Sequence, residues 1–440
     1  MSSTSRFSSL SPQLRHEIFG HLDKDGLSAC SLLSKEHSKT AQELLLRSVT
    51  VRHWKEDTST YVFTACLSTL SKRSPHKLKL IENLTITAVD PSPDSFPVPA
   101  TVYVEDIALI LAQLPALRSL KLLSVQIRDD LKTAQPQIVP RPLQVLTLEY
   151  TDFLIPRPIK PYVRCALFTL FSMFSSIGSL DFRKGVSFAP DGSRAGGPIG
   201  KLSANAPLVV REMAVTWFLY RGWMPDSDIC DYLIEACRIQ VADTLKITMD
   251  SERGKVFAKK FGRDVSRLEV TGPKSDENSD ELWDHTEHCK ALTTLVFGGR
   301  LNPMEDFFAL DELIASAAES LTHVTLCWPY SHKRSSREKV EMLVDQKWAN
   351  VDSALSQFEK LARVEILCEY DETIREADGE DDEDEEWSED DDGEKADARD
   401  AHGSSTVKTL FSMKGALDRI LSQMPLLRAR NIVILRVNPS

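Results

Sequence analysis

An apolar triple at positions i, i+3 and i+5 recurs along most of this chain. It reads Ile81-Leu84-Ile86, Leu117-Leu120-Leu122, Leu143-Leu146-Leu148, Ile177-Leu180-Phe182 and Val210-Met213-Val215. It continues as Val265-Leu268-Val270, Leu292-Leu295-Phe297, Leu321-Val324-Leu326 and Leu361-Val364-Ile366. Ala242-Leu245-Ile247 and Ala429-Ile432-Ile434 are looser members. The last two positions of each triple are two residues apart, so they fall on one face of a strand. With 42% of residues hydrophobic, chance alone yields about thirty such triples, so their number carries no weight. Their order does. First positions step by 23 to 40 residues from 81 to 361, then by 68 to 429.

Helix-like stretches fill several of the intervals. Residues 226–239 put Ile229, Leu233, Ile234 and Cys237 on one face, and residues 304–318 do so with Phe308, Leu310, Leu313, Ile314 and Ala317. Residues 338–361 and 407–424 follow the same period. Strand then helix at such spacing resembles the leucine-rich repeat, with the asparagine that often closes each turn mostly missing. Each unit hides its apolar side chains only by stacking on its neighbours. The resemblance implies an irregular α/β repeat solenoid, with a parallel sheet on its concave face and helices outside. An irregular α/β domain without true repeats is the other architecture the pattern allows. Alternate strand residues would line the concave face: Lys121, Thr147, Glu149, Asp181, Arg183, Lys246, Thr248, Glu269, Thr325 and Glu365. They mix both signs, which suits a protein surface better than a phosphate backbone or a lipid.

The formal net charge of −12 comes from one place. Residues 371–394 hold 16 Asp and Glu against one Arg, and the rest of the chain balances at 52 basic against 49 acidic residues. A near-neutral body argues against a dedicated nucleic-acid binder. The tract cannot pack a core, so residues 371–400 read as a disordered insertion. Ser388 within it precedes Glu389, Asp390 and Asp391, the setting an acid-directed kinase favours. The stretch 183–202, with Pro190, Gly192, Gly196, Gly197, Pro198 and Gly200, reads as a loop or long hairpin. The N-terminus lacks a continuous apolar region, and the densest apolar stretch, 166–177, is interrupted by hydroxyl residues and too short to span a bilayer. Eight scattered cysteines then fit free thiols in a reducing compartment. The expectation is a cytoplasmic or nuclear protein, neither secreted nor membrane-bound.

The first fifty residues form a separate unit. Pro12 suits the first turn of a helix, where its missing N–H has no partner to lose. Leu14, Ile18 and Leu22 recur at four-residue spacing, and Asp23 to Gly26 makes a turn. A second segment carries Leu27, Cys30 and Leu33, and a third carries Ala41, Leu44, Leu45 and Leu46. Three such short helices bury little surface by themselves. The segment LSPQLRHEIFGHLDKDGLSACSLLSKEHSKTAQELLLRSVTV resembles an F-box, most closely those of fungal F-box proteins. Leu10, Pro12, Leu14, Ile18, Leu22, Leu27 and the run Leu32-Leu33-Ser34-Lys35 carry the likeness. Ser11, Gln13, Gly26 and His37 depart from it, standing where Pro, Glu, Asp and Trp are common. The resemblance covers about a tenth of the chain. It implies docking on a Skp-type adaptor, and through it a cullin, with Leu10, Pro12, Leu14, Ile18, Leu22, Leu27 and Leu33 as adaptor-binding residues set into helical grooves. By periodicity, the same leucines equally fit the core of a helical cap.

Catalytic and metal motifs fail on inspection. Ala195-Gly196-Gly197-Pro198-Ile199-Gly200-Lys201-Leu202 lacks the first glycine and the final hydroxyl of a phosphate-binding loop, and Pro198 removes an amide donor. His285, His288 and Cys289 lack the further ligands that zinc requires. There is no G-x-S-x-G and no H-E-x-x-H. No enzyme, cofactor or metal is expected. The expected organisation is an F-box over 1–50, a repeat solenoid over 51–370, the acidic insertion over 371–400, and a last helix and strand over 401–440. The expected function is substrate recognition within a Skp–cullin–F-box ubiquitin ligase, the repeats binding a target protein. The alternative is a non-catalytic leucine-rich-repeat scaffold acting outside such a ligase.

Overall fold

The structure is a computed structural model. It describes residues 10–53, 59–88, 100–129, 139–155, 166–183, 186–190, 208–216, 239–248, 251–271, 285–298, 310–311, 313–329, 347–370, 415 and 418–439. The chain divides into two compact units, Met1–Val241 and Ala242–Ser440. Both are α/β, and each builds a long parallel sheet with helices.

The first unit opens with three helices, α1 (Pro12–Gly20), α2 (Lys24–Ser31) and α3 (Lys35–Arg47). Each begins on a side-chain cap. Ser11 Oγ accepts from Leu14 N at 3.2 Å, Asp23 Oδ1 from Gly26 N at 2.7 Å, and Ser34 Oγ from His37 N at 3.2 Å. Caps of this kind contribute about 1 kcal/mol each, which helices this short need. Ser11 thus supplies what a proline there would not, an oxygen for an orphan amide. The core of the trio is Phe19, Leu27 and Ala41, flanked by Ile18, Cys30, Leu44 and Leu45. His37 is buried and stacks on Phe19 with ring centroids 5.8 Å apart. Arg15 reaches across to Glu36 at 2.8 Å, tying α1 to α3.

Strand β1 (Ser48–His53) follows α3 directly and lies parallel to β2 (Asn83–Ala88), with α4 (Ser59–Arg73) and α5 (Pro75–Leu78) between them. The sheet continues through β4 (Ser119–Leu123), β6 (Arg141–Glu149), β8 (Phe174–Phe182) and β10 (Leu208–Thr216), all parallel. Its register explains the triples. Leu84, Leu120, Leu146, Leu180 and Met213 lie side by side across five strands, and Ile86, Leu122, Leu148, Phe182 and Val215 form the next row. The second unit repeats this with β11 (Ile239–Thr248), β12 (Arg267–Thr271), β13 (Thr294–Gly298), β14 (His323–Pro329), β15 (Arg363–Tyr370) and β16 (Val433–Pro439). There Leu245, Leu268, Leu295, Val324, Val364 and Val433 align. All nine stronger triples are buried at all three positions. Each large apolar side chain so buried contributes about 1.5–3 kcal/mol.

The turn into each strand also recurs. The residue after the first triple position offers its carbonyl to two amides at or near the start of the next main-sheet strand. Arg118 N and Ser119 N donate to Glu82 O, Gln144 N and Val145 N to Arg118 O, Thr293 N and Thr294 N to Ser266 O, and Thr322 N and His323 N to Thr293 O. In the second unit hydroxyls add to this ladder: Thr293 Oγ1 donates to Ser266 O at 3.1 Å and Thr322 Oγ1 to Thr293 O at 3.0 Å. At this position in β8 stands Gly178, where a Cβ would lie 2.6 Å from Gln144 O. The strands approach too closely there for any other residue.

Several expectations need correction. After β4 and β6 the chain turns a corner into a second strand, where a helix was expected. Ser124 and Tyr150, with φ of 54° and 47°, turn the chain from β4 into β5 (Val125–Arg128) and from β6 toward β7 (Asp152–Ile155). With β3 (Ala100–Tyr103) and β9 (Ser187–Pro190), these form a second parallel sheet in the order β3-β5-β7-β9. Ser187–Pro190, inside the stretch expected to be a loop or long hairpin, is therefore a strand paired parallel to β7. Helices α6 (Val104–Gln113) and α7 (Ala166–Ser172) carry the chain back toward the main sheet. The last triple is out of phase by one residue. Val433 and Leu435 pair with Val364 and Ile366, so Ile434 falls in the row of Glu365 on the other face. Ala242 is exposed, and Val241 is buried instead. Ile239 starts β11 and is not the end of a helix. Residues 304–318 and 338–361 are described in part, with Leu310, Leu313, Ile314, Val351 and Leu355 buried as expected.

Two arginines close helix ends. Arg141 donates to the carbonyls of Leu111, Leu114 and Leu117 at 2.7–2.9 Å, beyond the C-terminus of α6. Burial holds its guanidinium below the ordinary arginine value. In the second unit Arg430 donates to the carbonyls of Ser356, Phe358, Glu359 and Leu361, after the helix Trp348–Ser356. Asp352 on that helix caps the helix Pro425–Ala429, accepting from Leu426 N at 2.9 Å and Leu427 N at 2.8 Å. Backbone groups at helix ends thus gain side-chain partners from residues far along the chain.

Candidate functional site

Two kinds of surface stand out. The first is on the N-terminal helices. Three short helices close a core of one phenylalanine, one leucine and one alanine, and several larger apolar residues remain outside it. Leu32 and Leu33, at the end of α2, are 85% and 71% exposed, and Leu14 and Leu22 are 43% and 37% exposed. Leu14 lies one helical turn from Ile18 on α1, and Leu22 follows just past the end of that helix. Pro12 is exposed and Leu10 half-buried. Of the seven residues anticipated as adaptor contacts, Leu10, Pro12, Leu14, Leu22 and Leu33 therefore present surface. Leu27 is a core residue, and Ile18 packs against the core from its edge. Leu32 was not among the seven. Its place in an apolar pair at a helix end, outside the four-residue period, was the available signal.

The second surface is the outward face of the strands. In the first unit Thr85, Lys121, Thr147 and Asp181 form one row across β2, β4, β6 and β8. Lys121 Nζ pairs with Glu149 at 2.8 Å, and Arg183 Nε with Asp181 at 2.6 Å. The hydrogen bond to Asp181 is the main cause that raises the Arg183 pKa, with the Glu149 charge adding to it. Thr147 lies between Lys121 and Asp181 and is buried, since its neighbours are longer. It is not the free contact expected of it.

In the second unit the row is Lys246, Glu269, Val296, Thr325, Glu365 and Ile434. Glu269 accepts from Lys246 at 3.0 Å and from Arg267 at 2.7 Å. Glu365 accepts from Arg363 and lies 3.5 Å from Arg436. Thr325 is half-buried between them. The Thr248 side chain lies outside the described residues. Arg267, Arg363 and Arg436 complete this face and were missed. The signal was legible: Arg-x-Glu at 267–269 and 363–365 puts both charges on one face of a strand.

These side chains present charges and hydrogen-bonding groups to solvent. Among the described residues no group of three or more His, Cys, Asp and Glu is placed to hold a metal ion. Cys289 of the former zinc candidate is buried against Gly262, and burial pushes its thiol up to about 12. No described helix is long and apolar enough to cross a membrane. The phosphate-loop-like segment 195–202 and the acidic tract with Ser388 lie outside the described residues, as do Cys230 and Cys237. The sequence matches no protein-family model and no curated protein.

Proposed function

We propose that this chain is a non-catalytic recognition subunit of a Skp–cullin–F-box ubiquitin ligase. The three N-terminal helices act as the F-box and dock on a Skp-type adaptor. The stacked strands act as irregular leucine-rich repeats and hold a target protein. Ubiquitin transfer is then favoured by the raised effective concentration of the target, and the chemistry belongs to the partners.

One observation carries this reading. Leu14, Leu22, Leu32 and Leu33 stay exposed on a unit whose own core is small. Exposed large apolar side chains on so small a unit suit a partner surface, and helical apolar anchors fit a helical groove. The burial of His37 against Phe19 supports the same fold, because a stacked ring occupies the place of the more common tryptophan. The strand rows in register support stacked repeats.

The test is co-expression of the full chain with a Skp-type adaptor, followed by size-exclusion chromatography. A stoichiometric complex is expected from the natural chain and none from a Leu14→Asp, Leu33→Asp double variant. Co-elution of the double variant with adaptor would defeat the reading.

A further inference from the structure

The outward face of the second unit carries a repeated charge motif. Glu269 sits between Lys246 and Arg267, and Glu365 between Arg363 and Arg436. Each cluster has two cations and one carboxylate, so each keeps one positive charge in excess. The carboxylate side chains are 22% and 16% exposed, whereas the four cations are 39–52% exposed. The acids lie at the floor of each cluster and the cationic ends reach solvent. Between the clusters run β13 and β14, whose row positions are the uncharged Val296 and Thr325.

We infer that this face binds an extended acidic segment of the target protein by two-point contact. Neighbouring strands are about 4.8 Å apart. Arg267 and Arg363 occupy one register row three strands apart, on β12 and β15. The clusters are therefore about 14 Å apart at their inner cations and about 19 Å apart between their centres. An extended chain advances about 3.3 Å per residue and presents alternate residues on one side. The complementary ligand has Asp or Glu side chains four to six residues apart, separated by small or apolar residues. Nucleic acid fits poorly, because Glu269 and Glu365 would repel a continuous run of phosphates. The two net charges attract carboxylates at two points and leave the middle of the face neutral.

This inference rests on reading the strand faces as the target surface, and its failure is separable from failure of the adaptor reading. Two labelled peptides of equal charge are titrated into the full chain by fluorescence anisotropy. One carries two glutamate pairs four residues apart in a Ser/Ala background, and the other carries four contiguous glutamates. The spaced peptide is expected to bind about fivefold more tightly than the contiguous one, and to lose about tenfold in an Arg267→Ala, Arg363→Ala variant. Binding is also expected to fade between about 50 and 500 mM salt. The same titrations use a chain lacking residues 371–394. Specific binding that emerges only in that variant supports the face and makes the chain's own acids a competitor for it. No binding to either chain, equal binding of the two peptides, insensitivity to the two substitutions, or tighter binding of a single-stranded oligonucleotide would each overturn the inference. Adaptor complex formation, scored on the same samples, shows whether the other reading survives that result.

Discussion

The N-terminal helices and the strands that follow them treat large apolar side chains in opposite ways. Every residue of the nine main triples is buried, and the second and third positions of each line up with their counterparts on the neighbouring strands in shared register rows. In the helices, Leu27 is buried while Leu14, Leu22, Leu32 and Leu33 remain in contact with solvent. The strand array satisfies its own hydrophobic surface by repetition. The helical unit is too small to do so, and its remaining surface is available to a partner. The same residue type is therefore buried in one region and solvent-exposed in the other, and the proposed adaptor contact rests on the exposed set.

The largest effect is expected from breaking the array. Leu146 is fully buried between Leu120 and Leu180. Leu146→Ala should cost about 2–5 kcal/mol of stability, read as a lower denaturant midpoint. Arg141→Met should cost somewhat less, about 1–3 kcal/mol, because it removes the side-chain donors to three carbonyls at the end of α6, of which Leu111 O and Leu114 O keep a backbone partner. Hydrogen exchange should report it as faster opening of Val104–Gln113. Gly178→Ala sets a methyl against Gln144 O and should cost about 1–3 kcal/mol by forcing β6 and β8 apart. The smallest effect sharpens the comparison from the other side. Leu32→Ser on the helical unit should move stability by less than about 0.5 kcal/mol, because the side chain leaves water at no point in the isolated chain. A thermal melt that shifts by several degrees would show that Leu32 is a structural residue after all.

The array was legible because burial in a strand has a period of two and stacking requires the same phase in every repeat. The triples at 265, 292, 321 and 361 could be read straight onto β12 to β15. Phase was lost where the pattern has none: Ile432-Val433-Ile434-Leu435 is apolar throughout, and only pairing with Val364 and Ile366 selects Val433 and Leu435. The second sheet was hidden because its corners are made by Ser124 and Tyr150, which adopt a left-handed conformation without the glycine that would announce it. The carbonyl-binding arginines were hidden for another reason. Arg141 and Arg430 act on backbone 24 to 74 residues away, and no local spacing encodes such a bond. On the helical unit, periodicity places Leu14, Ile18 and Leu22 on one face but says nothing of which side that face meets. The core there is set by Phe19 and Ala41, which lie outside the leucine period.

On the proposed function, the exposed leucines of the helical unit serve a partner and not the fold. Its most direct test is a calorimetric titration of purified Skp-type adaptor into the full chain and into the Leu14→Asp, Leu33→Asp variant, with a thermal melt of each chain. On that function, saturable binding by the natural chain, no measurable heat with the variant, and superimposing melting curves are expected. A variant that binds the adaptor as the natural chain does, or one that loses binding only because it has unfolded, would contradict it.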